Sequence, residues 1–417
     1  MSALTSPPFP IGAHSIRTVI NAETLPIASG DRRASSPNLR VAHVAAYSEA
    51  SASGVDKTVL GLVTNLEQYG VLPEVWHLNH SHPFVAERQD HPIKVIELPA
   101  YPRARSALLG VPEATRRFIS ERRDVIDVLH LHSVFIPDNV WVAKLAGRPY
   151  VLTPNGGYSP RVISGHNRIA KAVWMRIRER NYVQGASLVH AVSPPELGQL
   201  RSMFGARSLV YAPNAIDLPP ALVSPEERML RSQRRVLFLG RLAVDHKGLD
   251  VLLEGYARYV RGQRDPETEL IVAGPDFRSG RTKLEALASS RLPRGGVRFL
   301  DAVFGEDKDS LLRSAYVFVH TSRWEGMPYA VLEALATGCP VLLTAATNLG
   351  DFVEEFGAGI VVECTPEAVS DGLARLLHLP AARYQAMCSA AGKLAAERFT
   401  WPAVAEHIST AYRSILE

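Results

Sequence analysis

The sequence predicts an α/β protein made of two doubly wound parallel sheets that face each other across a cleft. Three observations lead there. Short β-favouring apolar runs alternate with helix-period patterns along most of the chain, which is how a parallel sheet with helices on both faces reads. The alternation stops near Ala215–Arg235, a segment with Pro219, Pro220, Pro225 and several charges, and then begins again. The 417 residues are enough for two domains of ordinary size, each with its own core. The expected bounds are a mobile tail over 1–37, an N-terminal domain over 38–218, a C-terminal domain over 219–398 and a closing segment over 399–417.

In chain order, Pro7, Pro8, Pro10 and Pro26 cut the apolar pieces of the tail, so no signal-peptide core is expected. The first strand is Arg40–Ala46. A loop rich in Ser, Ala and Gly, Tyr47–Gly54, leads to a helix over Asp56–Tyr69, with Val59, Leu62, Val63 and Leu66 on one face. A strand, a glycine-containing loop and a helix in this order make a ligand-facing edge in open α/β sheets. Strand-like runs recur at Glu74–Leu78, Lys94–Leu98, Val128–Leu131, Tyr150–Thr153, Leu188–Val192 and Leu209–Tyr211. The second half repeats the theme at Val236–Leu239, Leu270–Ala273, Val297–Leu300, Tyr316–His320, Val341–Thr344 and Ile360–Val362. Leu249, Leu252, Leu253, Tyr256 and Val260 line one helix face, and Trp401–Leu416 is a last helix.

Composition narrows the function classes. The net charge of +4 suits anionic ligands or a membrane surface but is too small to argue for nucleic acid, and no nucleic-acid-binding motif stands out. Cys339, Cys364 and Cys388 are few, odd in number and far apart, which points to a reducing compartment and gives no metal spacing. The longest uncharged run, Ala334–Gly350, contains Gly338 and Pro340. It reads as helix end, turn, buried strand and loop, not as a membrane span.

The most informative stretch is Glu325-Gly-Met-Pro-Tyr-Ala-Val-Leu-Glu333, which follows the strand Tyr316–His320. Pro328 suits a helix first turn, and Gly338 with Pro340 ends the helix. Nothing in the sequence caps that helix start, so its free N–H groups and positive dipole end would attract an anion. Glu325 next to such a site is expected to meet sugar hydroxyls. Glu333, about two turns in and so ~12 Å further along the axis, would meet a second polar part of one elongated ligand. The plainer alternative is an ordinary strand-loop-helix unit with two surface glutamates.

This Glu-x7-Glu stretch resembles the donor-site signature of the retaining GT-B glycosyltransferases of family four. Phe238-Leu-Gly-Arg241-Leu followed by Lys247-Gly248 resembles the same family's "GRL…KG" element, and the two in this order and spacing are specific. The resemblance covers about residues 39–417 and implies GT-B architecture: two Rossmann-like domains, acceptor-side first and donor-binding second, with the last helix crossing back onto the first. It implies that Glu325 touches donor-sugar hydroxyls, Glu333 holds the nucleotide ribose, and Arg241 and Lys247 clamp the diphosphate. Gly326, Met327 and Pro328 would complete the donor site, and Gly54 would lie over the donor phosphates, although the family often has two adjacent glycines where this chain has Ser53-Gly54. Asn214-Ala-Ile-Asp217 resembles the family's "PNGID" turn, with Ala215 in place of the usual glycine.

Other motifs also admit plainer readings. Asp127-Val-Leu-His130-Leu-His132 ends a strand with two histidines two positions apart; no third metal ligand is apparent from sequence, and buried hydrogen-bonded histidines are the alternative. The family has a similar element, which implies that His132 faces the reaction centre, while His130 is structural. Thr153-Pro-Asn-Gly-Gly157 resembles the family's "TPHG" loop, with Asn155 in place of His. Asp307-Lys-Asp309 is a literal D-x-D that reads as a solvated helix start, so no metal is expected. Arg161–Arg180 carries six basic residues against Glu179 alone, with Ile169, Val173 and Ile177 on one face. That is the pattern of a helix resting on anionic lipid, or of a solvated helix covering the sheet.

Together these imply a retaining, metal-independent hexosyltransferase without a cofactor. It would move a sugar from a nucleoside-diphosphate donor to an acceptor hydroxyl in bacterial surface polysaccharide or lipid-linked glycan assembly. Its place would be the cytoplasm, with peripheral attachment to the inner face of the plasma membrane. A sugar-nucleotide epimerase of the same fold and a non-catalytic sugar-nucleotide binder are the competing readings. A nicotinamide enzyme is disfavoured because no Gly-x-Gly-x-x-Gly stands at either first turn.

Overall fold

The computed structural model describes residues 38–45, 53–81, 83–90, 93–206, 208–230, 233–262, 268–292 and 296–417. The expected tail over 1–37 and most of the loop Tyr47–Gly54 lie outside these residues.

The first sheet holds β1 (Leu39–Ala45), β2 (Val71–Asn79), β3 (Ala86–Asp90), β4 (Ile93–Pro99), β5 (Val128–His132), β6 (Tyr150–Thr153), β7 (Leu188–Ala191) and β8 (Leu209–Tyr211) in the order β3-β4-β2-β1-β5-β6-β7-β8. All pairs are parallel except β3 with β4. The second holds β9 (Arg234–Leu239), β10 (Thr268–Ala273), β11 (Val297–Leu300), β12 (Val317–His320), β13 (Val341–Thr344) and β14 (Gly359–Val362) in the order β11-β10-β9-β12-β13-β14, all parallel. Both orders reverse beside the first strand of their sheet, and the crevice at the carboxyl ends of the strands there is where open α/β sheets bind ligands.

The sequence expectation missed β3. Its Glu87-Arg88-Gln89 core has no apolar run, because an antiparallel edge strand buries little and charged residues there deter pairing with other chains. Pro328 was expected inside the first helical turn; the helix begins at Tyr329 and Pro328 is its cap, in extended backbone, with no side chain capping the end. The run Ala334–Gly350 resolves into helix end, turn, β13 and a short 3-10 turn. No helix among the described residues is long and apolar enough to cross a membrane.

Two crossings join the domains side by side. After β8 the chain passes through Asn214–Ile216, and at the other end Phe399–Trp401 leads into the helix Trp401–Ser414. Ile216 N–H donates to Phe399 O (2.9 Å), and Ile216 forms a parallel bridge with Thr400. The last helix then packs on the helix Gly54–Leu66 of the first domain, where Tyr412 is fully buried and Arg413 donates to Tyr69 O (2.9 Å). The linker helix Pro225–Met229 is fixed to the second domain by Arg228, a buried guanidinium that donates to the carbonyls of Ala315 and Thr337 and to Thr337 Oγ1.

The last helix fits only because residue 61 is glycine. A Cβ there would stand 1.9 Å from the Trp401 ring. Gly61→Ala should therefore displace Trp401 and cost about 1–3 kcal/mol, as overpacked sites do. The expected result is a lowered melting midpoint in circular dichroism, and an unchanged midpoint would show that the contact yields without cost.

Candidate active site

The cleft between the domains encloses about 620 Å³ and is lined from both sides. The N-terminal domain contributes Gly54 and Lys57 from the start of the first helix and Asn155-Gly156-Gly157 from the loop after β6. The C-terminal domain contributes Arg241, His246 and Lys247 after β9, Lys308, His320, the run Glu325–Ala330, and Glu333. The sequence-predicted residues Gly54, Arg241, Lys247, Glu325, Gly326, Met327, Pro328 and Glu333 thus come together on one surface.

At its centre is Glu325. Oε1 alone receives Lys247 Nζ (2.5 Å), Ser322 Oγ (2.6 Å) and His320 Nε2 (3.1 Å), and His246 Nε2 stands 3.9 Å away. Oε2 has no partner among the described residues. Burial alone would push this carboxyl up, but Lys247, His320 and His246 together hold it well below the usual carboxylate range. The buried group is therefore an anion with one oxygen anchored. His246 is pushed down to about 4, chiefly by burial, and its neutral ring stacks on Trp324 at 4.4 Å. Arg241 is exposed, with its guanidinium 5.4 Å from the Phe277 ring centre.

Glu333 is arranged in the same way. Lys57 Nζ (2.6 Å) and Lys308 Nζ (3.1 Å) both bind Oε1. Lys308, the residue between Asp307 and Asp309, carries no signal of this contact in the sequence. The two aspartates are exposed at the start of the helix Gly305–Ser314, as a solvated start requires, while Lys308 turns inward. Lys57 and His320 were also missed; the one available signal was that both stand near the carboxyl ends of strands at the cleft edge.

The two walls touch. Gly156 has φ +75°, and a Cβ on it would lie 2.7 Å from Gly326 Cα; a Cβ on Gly326 would lie 3.0 Å from the Asn155 carbonyl group. Backbone meets backbone across the cleft, and only glycine permits it. Behind the first wall Glu196, buried and pushed up to about 7 by burial, accepts from Gly156 N (2.6 Å) and Val192 N (2.9 Å). Thr58 Oγ1 pairs with Tyr329 OH (2.9 Å), and Asn214 Nδ2 donates to Met327 O (2.9 Å), so both helix starts are tied across the hinge.

His132 was expected to face the reaction centre. It stands at the carboxyl end of β5, 1 % exposed and not among the residues that line the cleft. Side chains two apart in a strand share a face, and the face of His130 is covered by Tyr412, whose OH lies 2.6 Å from His130 Nδ1. Register places His43 beside His130, and His43 Nδ1 lies 3.1 Å from His132 Nε2. His43 is thus a third imidazole that sequence spacing did not reveal, and the three offer ring nitrogens within 4.8 Å of one another. His130 stacks on His132 at 4.2 Å and 26°, and His43 lies at 18° to His132. Both His130 nitrogens are already bonded, to Tyr412 OH and Thr153 Oγ1.

Two parallel-sheet domains with this cleft define the GT-B class of transferases. Family models agree on both halves: "Glycosyltransferase Family 4" matches residues 52–219 and "Glycosyl transferases group 1" matches 225–394. The chain belongs to the family-four GT-B glycosyltransferases. It is 27% identical over 304 residues to a phosphatidyl-myo-inositol mannosyltransferase of Mycobacterium tuberculosis, covering 69% of this chain and 74% of the relative. It is 25% identical over 238 residues to a GDP-mannose:cellobiosyl-diphosphopolyprenol alpha-mannosyltransferase of Xanthomonas campestris, covering 57% and 60%. Among solved structures, HepE of Anabaena in complex with UDP and glucose superposes with a TM-score of 0.70 at 17% identity, over 90% of this chain and 100% of that one.

The buried histidines carry a pH consequence. Burial lowers His43 to about 3 and His190 to about 4, and His130 and His132 well below 6.5. Each binds its proton more readily unfolded than folded, so unfolding takes up protons below about pH 6.5. The stability these groups contribute is complete above that pH and is lost as pH falls toward 4, at ~1.4 kcal/mol per pH unit for each proton taken up. Urea unfolding at pH 7.5 and 5.0 should show a marked fall of the midpoint at the lower pH; equal midpoints would contradict the burial.

Proposed function

We propose that this glycosyltransferase moves a sugar, with retention of configuration and without a metal ion, from a nucleoside-diphosphate donor to a phosphate-bearing lipid-linked acceptor in glycan assembly at a bacterial membrane. The observation that carries the reading is the Glu325 carboxylate, ionised and anchored through Oε1 alone, opposite the Asn155–Gly157 wall. Its free Oε2 accepts donor-sugar hydroxyls. Arg241 and Lys247 meet the diphosphate, whose charge grows as the sugar leaves, and preorganised cations aimed there lower the barrier. Lys247 has three donors and spends one on Glu325, which leaves two for phosphate oxygens. The uncapped helix start after Pro328 adds its dipole.

Retention is supported by what lines the cleft. Glu325 and Glu333 are the only carboxylates among the described lining residues, each is held by lysine, and both come from the donor-side domain. Neither is presented as a nucleophile from the opposite wall, which favours departure and attack on one face, with the leaving phosphate taking the acceptor proton. Metal independence follows the same chemistry, because the cations that neutralise the diphosphate are the protein's own. His132, walled in by His43 and His130, touches no substrate in this reading and acts through the strand end it packs. The relatives named above are transferases, which leaves the epimerase reading without support.

The acceptor class rests on the surface beside the cleft mouth. Ile169, Val173 and Ile177 are 73, 52 and 53 % exposed, and Arg168, Arg176, Arg178 and Arg180 stand exposed around them. Glu179, the one acid of the stretch, is buried and receives Trp174 Nε1, Tyr158 OH and Phe135 N–H. Lys171 donates to the carbonyl of Val162, a lining residue, so this face is tied directly to the cleft. Leu108 and Leu109, on the helix Arg103–Leu109, add exposed apolar area. An apolar stripe with basic flanks suits an anionic lipid surface, and both curated relatives are named for lipid-borne acceptors.

The central test is turnover of nucleoside-diphosphate sugars in excess chelator. Activity should persist; its loss, with recovery on adding magnesium or manganese, would overturn metal independence. Lys247→Ala should lower transfer by ~10²–10³-fold and, by taking the ammonium from a buried carboxylate, cost about 3–5 kcal/mol of stability. Adding Glu325→Gln should restore most of the stability and none of the activity. Recovery of both would reduce the pair to a structural role.

Sedimentation with vesicles tests the membrane surface. Binding should require acidic lipid and weaken with salt, because surface attraction is screened over about 8 Å at physiological ionic strength. Charge reversal at Arg176 and Arg178 should release the protein. Equal binding to neutral vesicles would refute electrostatic docking.

A further inference from the structure

Glu333 is gripped from both sides of the cleft. Lys308, from its own domain, and Lys57, from the N-terminal domain, converge on Oε1, and Oε2 has no partner among the described residues. Lys57 stands one turn into the helix Gly54–Leu66, with its ammonium 5.5 Å from the Tyr329 ring centre, and the next residue, Thr58, pairs with Tyr329 OH. Two consecutive side chains of one domain therefore seat on the helix Tyr329–Ala336 of the other. The pair is partly shielded, at 31 % and 17 % side-chain exposure.

We propose that Lys57 is a positioning residue for the donor nucleotide: by taking Oε1 of Glu333 from across the cleft, it leaves Oε2 aimed at the ribose hydroxyls, so that the N-terminal domain completes the ribose subsite. The proposal rests on the nucleotide-sugar reading above. A carboxylate held by two cations at one oxygen has lost its torsional freedom before the ligand arrives, and preorganisation of this kind is what strengthens a later hydrogen bond. Because one of the two cations belongs to the other domain, the ribose contact gains full strength only while the walls are together. Donor affinity and cleft closure then become one coupled quantity.

Calorimetry on the full chain with UDP, GDP and ADP first identifies the diphosphate that binds. Binding of none of the three would overturn the donor reading itself, separately from Lys57. The diphosphate that binds is then compared with its 2′,3′-dideoxy counterpart. Wild type should prefer the ribose form by about 10–100-fold, the range for a hydroxyl bonded to a charged group. In Lys57→Met, with an unchanged melting curve, the preference should shrink to within about threefold while the dideoxy affinity stays as in wild type, and Lys57→Arg should restore part of it. A preference that survives Lys57→Met, or that is absent in wild type, would overturn the proposal. So would an equal fall for both ligands, which would place Lys57 on the phosphates instead.

Discussion

The cleft depends on one oxygen atom. Glu325 Oε1 gathers an ammonium, a hydroxyl and an imidazole, and these come from three places in the chain: Lys247 after β9, Ser322 in the loop after β12, and His320 at the strand end. An ionised carboxylate so far out of water is stable only with partners of this quality. Holding them in place fixes the end of β12, the loop that follows and the start of the helix at Tyr329. That same loop presents Gly326 to the opposite wall. The electrostatics of one side chain and the closest approach of the two domains are thus set by the same few residues.

Much of this was legible beforehand, for a definite reason. Parallel strands buried on both faces read as short apolar runs, and all such runs named in the sequence became strands within a residue or two, except that Val71, Leu72 and Pro73 extend β2 further upstream. What could not be read was whatever breaks that pattern or depends on tertiary approach. β3 carries charge where a strand signal needs apolar residues. Lys57, Lys308 and His43 look like any other residue of their type until the fold brings them to Glu333 or to His130. His132 depends on tertiary approach too: the period of two puts it on the strand face of His130, and only the fold shows that Tyr412, 282 residues after His130, packs on His130 there.

The buried imidazoles have a use in packing terms. His130 and His190 link to Tyr412, Thr153 and the Ala212 carbonyl through ring nitrogens, while His43 reaches His132. A neutral histidine offers one donor and one acceptor on a flat apolar body. It can therefore satisfy polar groups between two layers without bringing a charge inside. Thr153, which opens the cleft-wall loop, is bonded to two of these rings, so the wall and the closing helix share a support.

The double crossing at Ile216 and Thr400 bears on how such a molecule moves. Two chain segments bonded side by side behave as a strap with width. A strap folds easily about the line across it and resists being twisted or slid. Arg228 shortens its free length by fastening the linker helix to the second domain. The domains should then swing as a door does, about one axis, and Gly156 should come back to Gly326 after each opening without any sideways search.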